Sequence, residues 1–138
     1  MGRAERKLRL DYLRRVFKSP ELQGRLCYAE FRETKDYEGA TIDAIARAVR
    51  QFVSTGDYTA VIYIDGLSKS KRHTYGAQLR KSGIATRKVQ GVTKDENNPL
   101  VRLTDSIAGF VRDALDSEGS EIPGLFQQAI TTGALVEV

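Results

Sequence analysis

The sequence predicts an α/β fold in which a central, mainly parallel sheet carries helices packed on it. Three observations lead there. Segments with apolar residues at helical spacing alternate with short β-branched or aromatic runs, in the order helix, strand, helix, strand, helix, weak strand, helix. The strongest run, Tyr58 to Ile64, is β-branched and aromatic enough to be buried on both faces, as a central parallel strand is. The 138 residues, 41% of them hydrophobic, suffice for one compact domain with a single core.

The first helix spans Ala4 to Lys18, where Leu8, Leu10, Tyr12, Leu13, Val16 and Phe17 recur among cations, and Ser19-Pro20 stops it. Leu26 to Phe31 is short, aromatic and mostly apolar, hence a strand. Thr41 is placed to cap the next helix, whose Ile42, Ile45, Ala46, Val49, Phe52 and Val53 form an apolar face, with Gly56 beyond its end. After the strand Tyr58 to Ile64, helical residues resume from Ser70 to Lys81, with Tyr75 and Leu79 pointing inward and Ser82-Gly83 as the stop. Thr86 to Thr93 alternates as a basic edge strand in which Gly91 supplies a bulge.

Asn98-Pro99 starts the following helix, because Asn accepts from free backbone donors and Pro at the first position lacks only a donor that would go unused. Leu100, Leu103, Ile107, Phe110, Val111 and Ala114 share one face of it. Asp105 lies about 140° around from Leu100 at 100° per residue, clear of that face's centre. Past Asp116 the chain turns polar, then Ile122 to Ile130 forms a short helix and Ala134 to Val138 an apolar tail.

Charge narrows the function classes. The net charge is +4, yet Gly66 to Lys94 holds eight Lys or Arg and no acid, leaving 14 cations against 18 acids, or −4, elsewhere. A local basic span of this kind suits a patch that meets phosphates. One cysteine, Cys27, precludes an internal disulfide and, within an apolar strand pattern, reads as a buried inert thiol; with one Cys and one His a structural zinc site is not expected. No run approaches the roughly 20 apolar residues of a membrane span, and the basic amino terminus lacks the apolar core of a signal peptide, so a cytoplasmic protein is expected.

Ligands of open α/β sheets collect beyond the carboxyl ends of the strands, and Asp65 ends the best strand. Two or three converging carboxylates bind hard cations such as magnesium, which activate water and neutralise a phosphodiester's developing charge. Asp65 and Asp105 are the candidate pair, with Asp95 and Glu96 as outer candidates. Each has a plainer reading: Asp-Gly is a common turn, Asp105 is spaced to pair with Arg102, and Asp95-Glu96 suits a loop before a helix. The segment Leu67 to Tyr75 mixes hydroxyls and cations, as phosphate oxygens require, or as a solvated loop does; His73 within it has a proton-shuttling pKa range but no evident partner.

The run VIYIDGLSKSKR, followed by PLVRLTDSIAGFV, resembles the carboxy-terminal half of the ribonuclease-H-like proteins catalogued as domain of unknown function 3800. The family's last motif reads approximately Pro-Leu-x-Gln-Leu-Ala-Asp-x-x-Ala-Gly. Pro99, Leu100, Leu103, Asp105, Ala108 and Gly109 match it, whereas Arg102 and Thr104 depart. The resemblance covers residues 22 to 115, leaving 116 to 138 as a carboxy-terminal extension. It implies a ribonuclease-H-like fold, with carboxylates from several elements holding divalent metal beside a nucleic-acid backbone. Such proteins begin with a β-meander whose first strand carries an Asp-Glu-Ser-like motif, which nothing before Ala4 supplies. The expectation is a truncated or shortened member, or one whose missing strands come from another chain.

The function expected is metal-dependent phosphodiester hydrolysis, with magnesium or manganese on Asp65, Asp105 and Asp95 and the nucleic-acid backbone held by Lys69, Lys71, Arg72, Arg80, Lys81, Arg87 and Lys88. The alternative is a non-catalytic nucleic-acid-binding or assembly module on the same scaffold. A homodimer that covers the open sheet edge is compatible with either.

Overall fold

A computed structural model describes residues 3–53, 57–93, 98–116 and 121–138. Its elements are α1 (Arg3–Lys18), β1 (Cys27–Tyr28), α2 (Tyr37–Phe52), β2 (Ala60–Asp65), α3 (Lys69–Lys81), β3 (Thr86–Val92), α4 (Pro99–Asp116), α5 (Glu121–Thr132) and β4 (Val136–Glu137). The fold is α/β with parallel strand pairing, but the strands make two separate two-stranded sheets, β1 with β4 and β2 with β3, in place of one central sheet. The chain divides into two compact units, one from the amino-terminal residues up to Tyr28 together with Ser106–Glu137, the other from Ala29–Asp105 with Val138. No described helix is long and apolar enough to cross a membrane.

The second unit is built around β2–α3–β3, with α2 beside it. Ile42 and Ala46 of α2, Tyr75 and Leu79 of α3, Ile84, and Val89 of β3 form its buried cluster, against which Ala60, Ile62 and Ile64 of β2 pack. Period-2 alternation therefore puts Val61, Tyr63 and Asp65 on the opposite face, where Val61 and Tyr63 are 41% and 43% exposed. The strand expected to be buried on both faces is covered on one. Its composition suits two-sided burial, but α2 and α3 pack on the same side.

Several local devices fix this unit. α2 starts four residues before Thr41: the Asp36 carboxylate caps it by accepting from the Gly39 N–H at 2.9 Å, while the Thr41 hydroxyl donates to the Tyr37 carbonyl inside the helix. α3 ends in a Schellman motif, with the Ile84 N–H donating to Leu79, the Gly83 N–H to Arg80, and Gly83 at φ +86°. The irregularity in the β2–β3 ladder is not at Gly91. Ala60 pairs with Thr86 and Val61 with Lys88, so Arg87 is the extra residue. Gly91 serves a different end, since a Cβ there would run into the Leu67 carbonyl of the turn after β2.

In the first unit, α1 contributes Leu10, Leu13, Val16 and Phe17, α4 contributes Ile107, Phe110, Val111 and Ala114, and α5 contributes Leu125 and Ala129 to the buried set. Phe110 stacks obliquely on Phe17 and Phe126, with ring centroids 5.4 and 6.1 Å apart. α5 and β4 thus belong to this unit, and β4 pairs with β1. The strand expected over Leu26 to Phe31 is correspondingly short, two residues long. On α4 the Asn98 side chain accepts from the Leu100 and Val101 N–H groups, as a cap should. Val101, not Leu100, is the buried residue of its first turn; Leu100 is 61% exposed.

Candidate functional site

Every candidate residue within the described set and between Gly66 and Val92 belongs to one β–α–β unit, so the site is best followed along that path. β2 ends at Asp65, and Gly66 (φ +73°) turns the chain while its N–H donates to the Val92 carbonyl at 2.8 Å. This bond and the Leu67–Gly91 approach seat the turn on the carboxyl edge of the sheet. Ser68 then leads into α3 with extended backbone and no side-chain cap, its Oγ lying 3.1 Å from Ser70 Oγ.

α3 has no acid in its first turn and opens with Lys69-Ser70-Lys71-Arg72. Cations at the positive end of a helix dipole each cost about 0.3–1 kcal/mol at low salt, so the same turn attracts an anion from two sources, its dipole and its side chains.

The seven described cations do not share one face. Lys69 and Lys81 are exposed on α3, whereas Lys71 reaches the Glu38 carboxylate at 3.4 Å, an exposed pair that contributes about 0–1 kcal/mol. Arg72 follows the helical spacing of the inward residues Tyr75, Gly76 and Leu79; it is half-buried and its Nε has no hydrogen-bond partner among the described residues. The Arg80 Nε donates to the Thr86 carbonyl at 3.0 Å and so ties α3 to the start of β3. Arg87 and Lys88 are exposed on β3. His73 is exposed on α3 and makes no hydrogen bond to a described residue.

Asp65 and Asp105 are both exposed, and neither carboxylate is hydrogen-bonded or ion-paired to a described residue. The Arg102–Asp105 pair that their spacing permits is not formed. Asp95 and Glu96 lie outside the described residues. Among the described residues no three His, Cys, Asp or Glu side chains gather as a metal centre. Cys27 is half-buried and burial raises its thiol above the ordinary value, which keeps it protonated and unreactive at neutral pH. Tyr75 is likewise raised, by burial first and by Glu38 and Asp36, against an opposing effect of Lys71.

Two residues of this region were not singled out by sequence. Tyr63 stands two positions before Asp65 on the same face of β2, and Gln90 is its cross-strand partner on β3. The alternation Val61, Tyr63, Asp65 contained the signal, because a strand that presents a carboxylate to solvent presents its i−2 neighbour there too. Compared with known proteins, the chain matches no family model, no curated protein and no solved structure.

Proposed function

We propose that this chain is a ribonuclease-H-like domain that acts on nucleic-acid phosphodiesters. One observation carries the reading: Asp65 stands exposed, with no ion pair among the described residues, at the carboxyl edge of a parallel β–α–β unit whose helix and second strand hold five and two cations, respectively, and no carboxylate. That edge is where α/β sheets bind ligands, and the cation excess favours a polyanion. Lys69, Lys81, Arg87 and Lys88, all exposed, contact phosphates; Lys71 does so in exchange for Glu38. Arg80 supports the frame through the Thr86 carbonyl.

Magnesium or manganese fits the donor type, since hard cations take carboxylate oxygens and magnesium needs only one or two of them besides water and phosphate. Asp65 and Asp105 hold it, with Asp95 as a further donor. When bound, the ion supplies an activated water and charge neutralisation. The lack of any three clustered ligands among the described residues favours a second reading, a non-catalytic nucleic-acid-binding module. Among the described residues β2 pairs with β3 alone, which leaves a strand edge for a second copy or a partner chain that completes the site.

Magnesium and manganese titrations followed by NMR at Asp65 and Asp105 separate the readings. Saturable shifts at both, lost in Asp65→Asn and in Asp105→Asn, establish the shared metal site. No response up to about 10 mM, well above the range of specific hard-cation sites, leaves the binding module. Salt-insensitive binding of an oligonucleotide would sink both.

A further inference from the structure

The face of the β2–β3 sheet away from α2 and α3 is patterned, and the pattern matches a chemical class of ligand. Val61, Tyr63 and Asp65 of β2 lie on it, paired in register with Lys88, Gln90 and Val92 of β3. It is therefore graded along the strands. A cation stands at one end, an exposed aromatic ring beside an amide at the middle, and an exposed carboxylate at the other end. Val92, next to Asp65, is buried, so the face closes there while Asp65 remains exposed. The Tyr63 hydroxyl makes no hydrogen bond to a described residue, unlike Tyr58, whose hydroxyl accepts from the Ala85 N–H.

We infer that Tyr63 is a base-stacking residue and that the nucleic acid recognised is single-stranded. The inference rests on the proposed function and names the substrate class of that same site. An open sheet face with an exposed ring suits an unpaired base, because every base offers a π-face and stacking needs no particular sequence. A duplex has its bases stacked on each other and offers the ring nothing. Lys88, opposite Val61, and the bulged Arg87 beyond it put positive charge at one end of the face for the backbone of the same strand. The Tyr63 and Asp65 Cα atoms, two residues apart on one face, are separated by about 6.6 Å, so a base on Tyr63 sets the next phosphodiester near the carboxylate. Gln90 beside the ring supplies an amide that donates to or accepts from a base edge. A face that mixes Lys, Gln and Asp with one ring and two valines, of which only Val61 is exposed, is too polar for an apolar docking surface.

The test compares a fluorescein-labelled single strand with the blunt duplex of the same sequence by anisotropy at low salt, using the full chain, Tyr63→Ala, Tyr63→Phe and Lys88→Ala. Tyr63→Ala is expected to weaken single-strand binding roughly 5- to 150-fold, the span of one stacked base, and to leave duplex binding within about twofold. Tyr63→Phe keeps the ring and retains affinity. Lys88→Ala weakens both ligands and flattens the salt dependence. Unchanged single-strand binding in Tyr63→Ala, or equal losses on both ligands, overturns the stacking role while the phosphate reading stands. Absence of salt-dependent binding by the unaltered chain overturns both. Concentration-dependent self-association abolished by Tyr63→Ala assigns the face to a second copy and also overturns the inference.

Discussion

Replacing Gly91 with alanine drives a methyl group into the backbone of the turn that carries the chain from β2 to α3. The added Cβ would sit 2.8 Å from the Leu67 carbonyl carbon and 3.1 Å from its Cβ, with the carbonyl oxygen closer still, where ordinary contacts begin at 3.4 Å. None of these atoms belongs to the far end of a flexible side chain, so relief requires moving the turn. Overpacking of this kind costs about 1–3 kcal/mol. Moving the turn also strains the Gly66–Val92 hydrogen bond, worth about 1 kcal/mol, for a total of about 3 kcal/mol.

Two other glycines calibrate the value. Gly66→Ala meets no atom within 4 Å and costs only its left-handed backbone, about 1–2 kcal/mol. Gly124→Ala, inside α5 with open space around it, stabilises by about 0.5–1 kcal/mol. Urea unfolding by circular dichroism ranks the three variants at constant m-value. If Gly91→Ala falls within 1 kcal/mol of the parent, the turn is not seated as described, and the placement of Asp65 and the start of α3 loses its support.

Other perturbations follow from the packing. Asn98→Ala removes the acceptor for two N–H groups of α4 and lowers stability by about 1 kcal/mol, read from the urea midpoint, while Asn98→Asp retains it. Phe110→Ala, at a residue 1% exposed between two other rings, costs about 3–5 kcal/mol, against near-neutrality for Leu100→Ala. Tyr75 titrates above its usual 10.0 in the folded chain, so the unfolded chain releases that proton first. Its stabilising contribution is complete below pH 10 and declines as pH rises through the folded value; Tyr75→Phe should flatten the alkaline limb of a stability–pH curve.

Much of the helical architecture was legible because it is local. The stop of α3 at Ser82-Gly83, the Asn98 cap and the inward Tyr75 and Leu79 depend on residues a few positions apart. The β1–β4 pair was not, since Tyr28 and Glu137 are 109 residues apart and two-residue strands leave no periodicity to read. The two-sided burial expected for β2 rests on composition, which cannot say on which side the helices pack. At the site, counting cations overlooked helical phase. Arg72 and Arg80 belong to the basic run in sequence, yet one turns toward the inward side of α3 and the other bonds the backbone of β3. Tyr63 was hidden for the opposite reason, because an aromatic in a β-branched run reads as core.

The two compact units also differ in when a growing chain can complete them. Ala29–Asp105 is nearly continuous in sequence, and its β–α–β contacts close over short loops, so it can form while synthesis continues. The unit that contains α1 also needs Ser106–Glu137, which the ribosome delivers after Ala29–Asp105. Until then Leu10, Leu13 and Phe17 lack their partners from α4 and α5, and α1 is a basic amphipathic helix with its apolar side uncovered. Ribosome-arrested chains in which Asp105 has just cleared the exit tunnel should therefore show protease resistance in the β2–β3 region while α1 is cleaved, and chains in which Val138 has cleared it should protect both; simultaneous protection would refute this order.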